Sequence, residues 1–148
     1  MNILLIEDDE IKSHNINKFL NSIYNDIAIH TRGSVKSGLE FLKTTNFDLL
    51  LLDMTLPTFD ISSTEDGGRP QPYGGREILR QMERLDLMTP AIVITGFDKF
   101  GEGQDSLSLD ELNLQLSQEH RNYKGAVYYS SFDDSWMSSL ELIINKLD

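Results

Sequence analysis

Asp8, Asp9 and Asp53 each stand where an apolar run stops: Ile3-Leu4-Leu5-Ile6 lies just ahead of the first two, and Leu49-Leu50-Leu51-Leu52 precedes the third. In an open parallel sheet the ends of such runs form one rim, so the three acids converge. Carboxylates gathered without cations repel one another and raise one another's pKa. A divalent metal relieves that repulsion and turns the cluster into a site for handling phosphate.

The elements that must carry these acids follow from hydrophobic patterning. Five short apolar runs read as strands: Asn2 to Ile6, Ile27 to Thr31, Asp48 to Leu52, Ala91 to Thr95 and Ala126 to Tyr129. Most are apolar on both faces, which predicts a sheet covered by helices on both sides. Between them, Ile11, Phe19, Leu20 and Ile23 give a rough helical stripe. Ser34 is placed to cap a helix carrying Val35, Leu39 and Leu42, and Ile78, Leu79, Met82 and Leu85 mark another ahead of Pro90. The last helix, capped by Asp133 or Asp134, carries Trp136, Leu140, Ile143, Ile144 and Leu147 on one face. Strand and helix alternate throughout, which predicts right-handed βαβ units and a doubly wound, five-stranded parallel α/β sheet.

Two stretches break the rhythm. Thr58 to Gly75 is rich in Gly, Pro, Ser and Asp and reads as a long exposed loop. Gly96 to Lys124 opens with Gly96, Gly101 and Gly103 and continues into leucines at 107, 109, 112, 114 and 116. Leu109, Leu112 and Leu116 suit a helix, whereas Leu112, Leu114 and Leu116 alternate like a strand; the helix is the preferred reading.

Bulk composition narrows the function classes. A chain of 148 residues with 39% apolar content suits a single domain over residues 1–148. Thirteen Lys and Arg against 24 Asp and Glu give a formal net charge of -11, which opposes binding to nucleic acid or to an anionic membrane. The absence of cysteine excludes disulfides and thiolate metal sites. The opening Met1-Asn2-Ile3 lacks a basic segment and reaches Glu7 too early for a signal peptide, and no apolar run approaches the roughly 20 residues of a membrane span. A cytoplasmic protein is expected. His14, His30 and His120 have no metal-ligand spacing and no paired nucleophile, so they read as surface or core residues.

In this order and spacing, the pieces resemble the receiver domain of two-component response regulators over nearly the whole chain. ILLIEDDE resembles the first strand and acidic pair of that family. LLLLDMTLP resembles its third strand with the phosphoacceptor aspartate and a following proline, and the 44-residue step from Asp9 to Asp53 agrees. Ala91 to Gly96 resembles the fourth strand, ending in a hydroxyl residue. The resemblance implies a flavodoxin-like receiver fold with two enlarged loops. It also implies that Asp53 is the nucleophile toward a phosphohistidine, that Asp8, Asp9, Asp53 and the Thr55 backbone carbonyl hold Mg2+, and that the Thr95 hydroxyl donates to a phosphoryl oxygen. The partners implied are a sensor histidine kinase or phosphotransfer protein and a downstream protein target. The only chemistry implied is the receiver's own phosphorylation and dephosphorylation, so an enzyme with turnover is not expected.

The chain departs from the family at the fifth predicted strand. Ser130 stands where the resemblance puts a lysine, Ser131 where it puts a proline, and Val127 where a switch aromatic is usual, with Tyr128 and Tyr129 following. The missing cation makes Arg69, Arg76 or Lys99 candidates to replace it. A second reading is a pseudo-receiver that binds proteins without phosphorylation. A third is a haloacid dehalogenase-type phosphohydrolase, which Thr55 argues against because that family has a second acid in its place.

Overall fold

The central strands are apolar at every position, and the structure buries them accordingly. The computed structural model describes residues 1–60 and 73–147. Among these residues seven strands and five α-helices run in chain order: β1 Asn2–Ile6, α1 Glu10–Ile23, β2 Ala28–Arg32, α2 Val35–Thr44, β3 Leu49–Leu52, α3 Gly74–Arg84, β4 Ala91–Thr95, β5 Lys99–Phe100, β6 Leu107–Ser108, α4 Leu109–Glu119, β7 Tyr123–Tyr128 and α5 Ser135–Asn145. Five strands form one parallel sheet in the order β2-β1-β3-β4-β7, while β5 and β6 form a small antiparallel hairpin. This is the doubly wound α/β architecture expected from the alternation of elements. No helix among the described residues is long and apolar enough to cross a membrane.

Alternation along each strand divides the core in two. Leu4, Ile6, Leu50, Leu52, Ala91 and Val93 face α2, α3 and α4, and Ile3, Leu5, Leu49, Leu51, Ile92 and Ile94 face α1 and α5. Near-complete burial of such side chains contributes about 1.5–3 kcal/mol each, which is why the sheet interior tolerates no polar residue until its C-terminal rim.

Several expected elements shift in detail. In α1 the stripe is rotated: Ile11 is 73% exposed, and Lys12, Ile16 and Leu20 point inward. Leu85, assigned to the apolar face of α3, is 44% exposed just past the helix end. The last sheet strand begins at Tyr123 rather than Ala126, because a register shift opposite Ala91 and Ile92 skips Lys124 and admits Gly125 at φ 148°. Beyond Gly96 the chain makes the β5–β6 hairpin before α4. Ser108 and Glu111 then form a reciprocal capping box at the start of α4, with Leu112 and Leu116 buried and Leu114 exposed, so the helical reading of the leucines holds. The loop expected over Thr58 to Gly75 falls largely outside the described residues, and Gly74 and Gly75 already belong to α3.

Candidate functional site

Parallel register decides which acids meet. Ile6 pairs with Leu52, and the Asp53 amide donates to the Ile6 carbonyl at 3.0 Å, so the residues that follow the two strands, Glu7 and Asp53, come side by side. Alternation decides where they point: Glu7 continues the Ile3–Leu5 face and Asp53 the Leu49–Leu51 face, both toward α1. Glu7 and Asp53 are buried, and Asp8 is exposed at the rim. Carboxylate oxygens of Glu7, Asp8 and Asp53 lie within 4.8 Å of one another, close enough to share one metal ion.

Asp9 has a different position. Its Oδ1 accepts from the Ile11 amide at 2.9 Å and the Lys12 amide at 3.1 Å, which satisfies two of the unpaired donors at the start of α1. It still lines the cavity over the acids, together with Glu7, Asp8, Lys12, Asp53, Thr55, Gly96, Phe97 and Tyr129. Thr95 is fully buried at the end of β4, and its Oγ1 accepts from the Phe97 amide at 3.2 Å. The two residues after it, Gly96 and Phe97, line the cavity.

The acids are not left uncompensated. Lys12, 5% exposed, extends from the first turn of α1 into the cluster, pairs with Glu7, approaches Asp53 Oδ2 to 3.3 Å and donates to the Ile94 carbonyl at 2.7 Å. Its Nζ also lies 5.7 Å from the centroid of the Tyr129 ring. Asp53 Oδ1 accepts from the Met54 amide at 2.7 Å, so each of its oxygens has a partner. Burial raises the Glu7 pKa above the usual carboxylate range; Lys12 opposes that shift and Asp53 adds to it. Fully ionised, the three carboxylates against one ammonium would leave two negative charges, which a divalent cation balances. The all-oxygen donor set suits Mg2+.

None of the cations expected to replace the missing lysine does so among the described residues. Arg76 is held on α4, where its Nη2 donates to Gln115 at 2.8 Å and Glu119 at 3.1 Å, and Lys99 is exposed on the hairpin. Arg69 lies outside the described residues. Ser130 Oγ accepts from the Phe132 amide at 3.1 Å and faces a neighbouring cavity. The histidines also stay apart from the acids: His14 and His30 are exposed, and His120 is buried beside Glu83 at the end of α4.

Glu7 and Lys12 also line the cavity, and the sequence reading gave them no part in it. The signal for Glu7 was available, since counting alternate residues from Ile3 through Leu5 lands on it. Lys12 was hidden by taking Ile11 as the inward residue of α1.

A family model, the response regulator receiver domain, matches residues 3–111. An uncharacterized protein of Sinorhizobium fredii, y4jR, is 26% identical over 144 residues, covering 95% of both chains. The Detocs response regulatory protein DtcB of Enterobacter cloacae is 25% identical over 150 residues, covering 99% of this chain and all of that one. The Mn(2+)-bound form of the response regulator Rcp1 superposes with a TM-score of 0.65 at 20% identity, covering 98% of this chain and 92% of that one.

Proposed function

The chain belongs to the family of response regulator receiver domains, and from that premise we propose that Asp53 accepts a phosphoryl group from a phosphohistidine on a histidine kinase or phosphotransfer protein, the product then signalling through contact with a downstream protein. The observation that carries this reading is the convergence of Glu7, Asp8 and Asp53 on one cavity at the rim of the sheet.

In the transfer, a carboxylate oxygen of Asp53 attacks phosphorus, the P–N bond of the phosphohistidine breaks, and its electron pair leaves with the imidazole nitrogen. The new P–O bond makes an acyl phosphate. Such a transfer depends mainly on positioning and on neutralising the equatorial oxygens, so a rigid rim with a few donors suffices. Glu7, Asp8 and Asp53, together with the Thr55 backbone carbonyl, are the oxygens we assign to Mg2+, while Asp9 serves as the cap of α1. When bound, Mg2+ would offset the charge of both the acids and the incoming phosphoryl group. The Met54 amide fixes one oxygen of Asp53 and thereby its rotamer. Thr95, at the end of the strand beside β3, is assigned to donate its hydroxyl to a phosphoryl oxygen, a role that its oxygen's acceptance from the Phe97 amide leaves open. This chemistry is a single transfer to the protein's own residue, without turnover on an outside substrate. The acidic surface fits partners in the cytoplasm that are proteins rather than nucleic acid or membrane.

Incubating the protein with acetyl phosphate and Mg2+ should add one phosphoryl group, seen by intact mass and absent in Asp53→Asn. No labelling with Mg2+ present, or labelling that survives the substitution, defeats the reading.

A further inference from the structure

Lys12 is the one member of the cluster to which the transfer just described gives no part. A lysine this buried requires compensation, and the three donors of its ammonium have three partners: Glu7, Asp53 Oδ2 at 3.3 Å and the Ile94 carbonyl at 2.7 Å. Neutralising Glu7 alone would not require the ammonium to lie between that acid and Asp53. Helical side chains lean toward their N-terminus, so Lys12, on the first turn of α1, is aimed at the rim and holds its charge beside the oxygens that a phosphoryl group would join.

Competing cations are absent among the described residues. Lys12 makes the only ion pair there with Asp53, Arg76 is engaged by Glu119, and Lys99 is exposed. The end of β7 contributes Tyr129 to the cavity, while Ser130 is bonded to its own turn. A phosphoryl group on Asp53 adds negative charge within reach of an ammonium already beside that carboxylate. The long stem of a lysine lets the ammonium follow the charge without movement of α1.

We propose that Lys12 is the cation that binds the phosphoryl group on Asp53, supplied by α1 in place of the strand end that lacks one. This rests on Asp53 being the phosphoacceptor, and the experiment separates the two claims. The full chain carrying 15N-labelled lysine is mixed with Mg2+ and beryllofluoride, a phosphoryl mimic, and the Lys12 ammonium resonance is followed. In parallel, Lys12→Met and Lys12→Arg are tested for Mg2+ affinity, beryllofluoride affinity and labelling by acetyl phosphate. We expect the wild-type resonance to move. Assayed at Mg2+ concentrations that saturate each variant, Lys12→Met should lose roughly ten- to a hundred-fold in beryllofluoride affinity and labelling rate, the range of a charge-assisted hydrogen bond, while Lys12→Arg keeps most of both. An unmoved ammonium signal, or Lys12→Met that labels at the wild-type rate, overturns the proposal while leaving Asp53 in place. A wild-type protein that takes neither beryllofluoride nor phosphate overturns the role of Asp53 and that of Lys12 together. Should Lys12→Met not fold, the wild-type resonance decides alone.

Discussion

Gly75→Ala tests how tightly α3 is set against the strand that ends at Asp53. Gly75 is the second residue of α3, its amide donates to the Met54 carbonyl at 2.9 Å, and a methyl group added there would lie 2.5 Å from the Asp53 carbonyl oxygen and 3.1 Å from Met54 Cα. Ordinary contact begins at 3.4 Å, so backbone must move by about 0.9 Å. The obstacle is main chain, which has no rotamer to change, and the Asp53 amide is itself bonded to Ile6. Overpacking of this kind costs about 1–3 kcal/mol, and the better helix propensity of alanine returns at most about 1 kcal/mol. The net loss should be about 1–2 kcal/mol, lowering Tm by about 3–8 °C. The proposed labelling of Asp53 should suffer more than the fold, because a displacement near 1 Å in a reacting group can cost about a hundred-fold in rate. Urea unfolding and acetyl phosphate labelling measure the two effects. Gly38→Ala is the comparison, since its added methyl would meet side-chain carbons of the buried Ile6, at 2.5, 3.0 and 3.3 Å, rather than main chain. Wild-type stability and labelling rate in Gly75→Ala would show that the packing argument is wrong.

Three further outcomes are expected. Asp9→Ala should cost about 1 kcal/mol through loss of the α1 cap and leave Mg2+ affinity nearly unchanged, whereas Glu7→Gln and Asp8→Asn should each weaken Mg2+ roughly tenfold or more in calorimetric titration. If Asp9→Ala loses metal and Glu7→Gln does not, the ligand assignment is reversed. The raised pKa of Glu7 means that the metal-free folded chain keeps a proton the unfolded chain has lost above about pH 4.5. Its contribution to stability is therefore full below that pH and declines as pH rises toward the folded-state pKa, while Mg2+ affinity rises over the same range; urea midpoints and titrations at several pH values check both signs, and opposite slopes count against it. Trp136, the single tryptophan, is buried with ring centroids 5.2 Å from Tyr129 and 5.4 Å from Phe19, so its fluorescence should change when Mg2+ and beryllofluoride enter the cavity that Tyr129 lines. A silent spectrum in a protein that has taken up beryllofluoride would show that Tyr129 does not respond.

The fold could be read from the sequence because its strongest signals are redundant: β1, β3 and β4 are apolar on both faces, and Ser34 and the Trp136–Leu140–Ile144 face mark their helices. Asp53 could be read for the same reason, as the first charge after four leucines. The errors came where one residue of phase matters. An isoleucine at position 11 invites an inward placement, yet the Asp9 cap sets the start of α1 so that Lys12 turns in and Ile11 turns out. Glu7 was passed over because an acid at a strand end looks solvated until strand pairing buries it against Asp53. The β5–β6 hairpin gave no signal because two-residue strands have no period.

That hairpin limits how a disturbance can spread from the site. Tyr73, at the cap of α3, donates its hydroxyl to the Phe100 carbonyl at 3.1 Å, and the Leu109 amide at the start of α4 donates to the Asp98 carbonyl at 2.8 Å. Arg76 then joins α3 to α4 through Glu119. The segment leaving Gly96 is thus strapped to two helices at once and cannot swing like a free flap. Whatever tugs on it must shift α3 and α4 in concert, so a binding protein on that side of the molecule would sense the tilt of a plate rather than the opening of a loop.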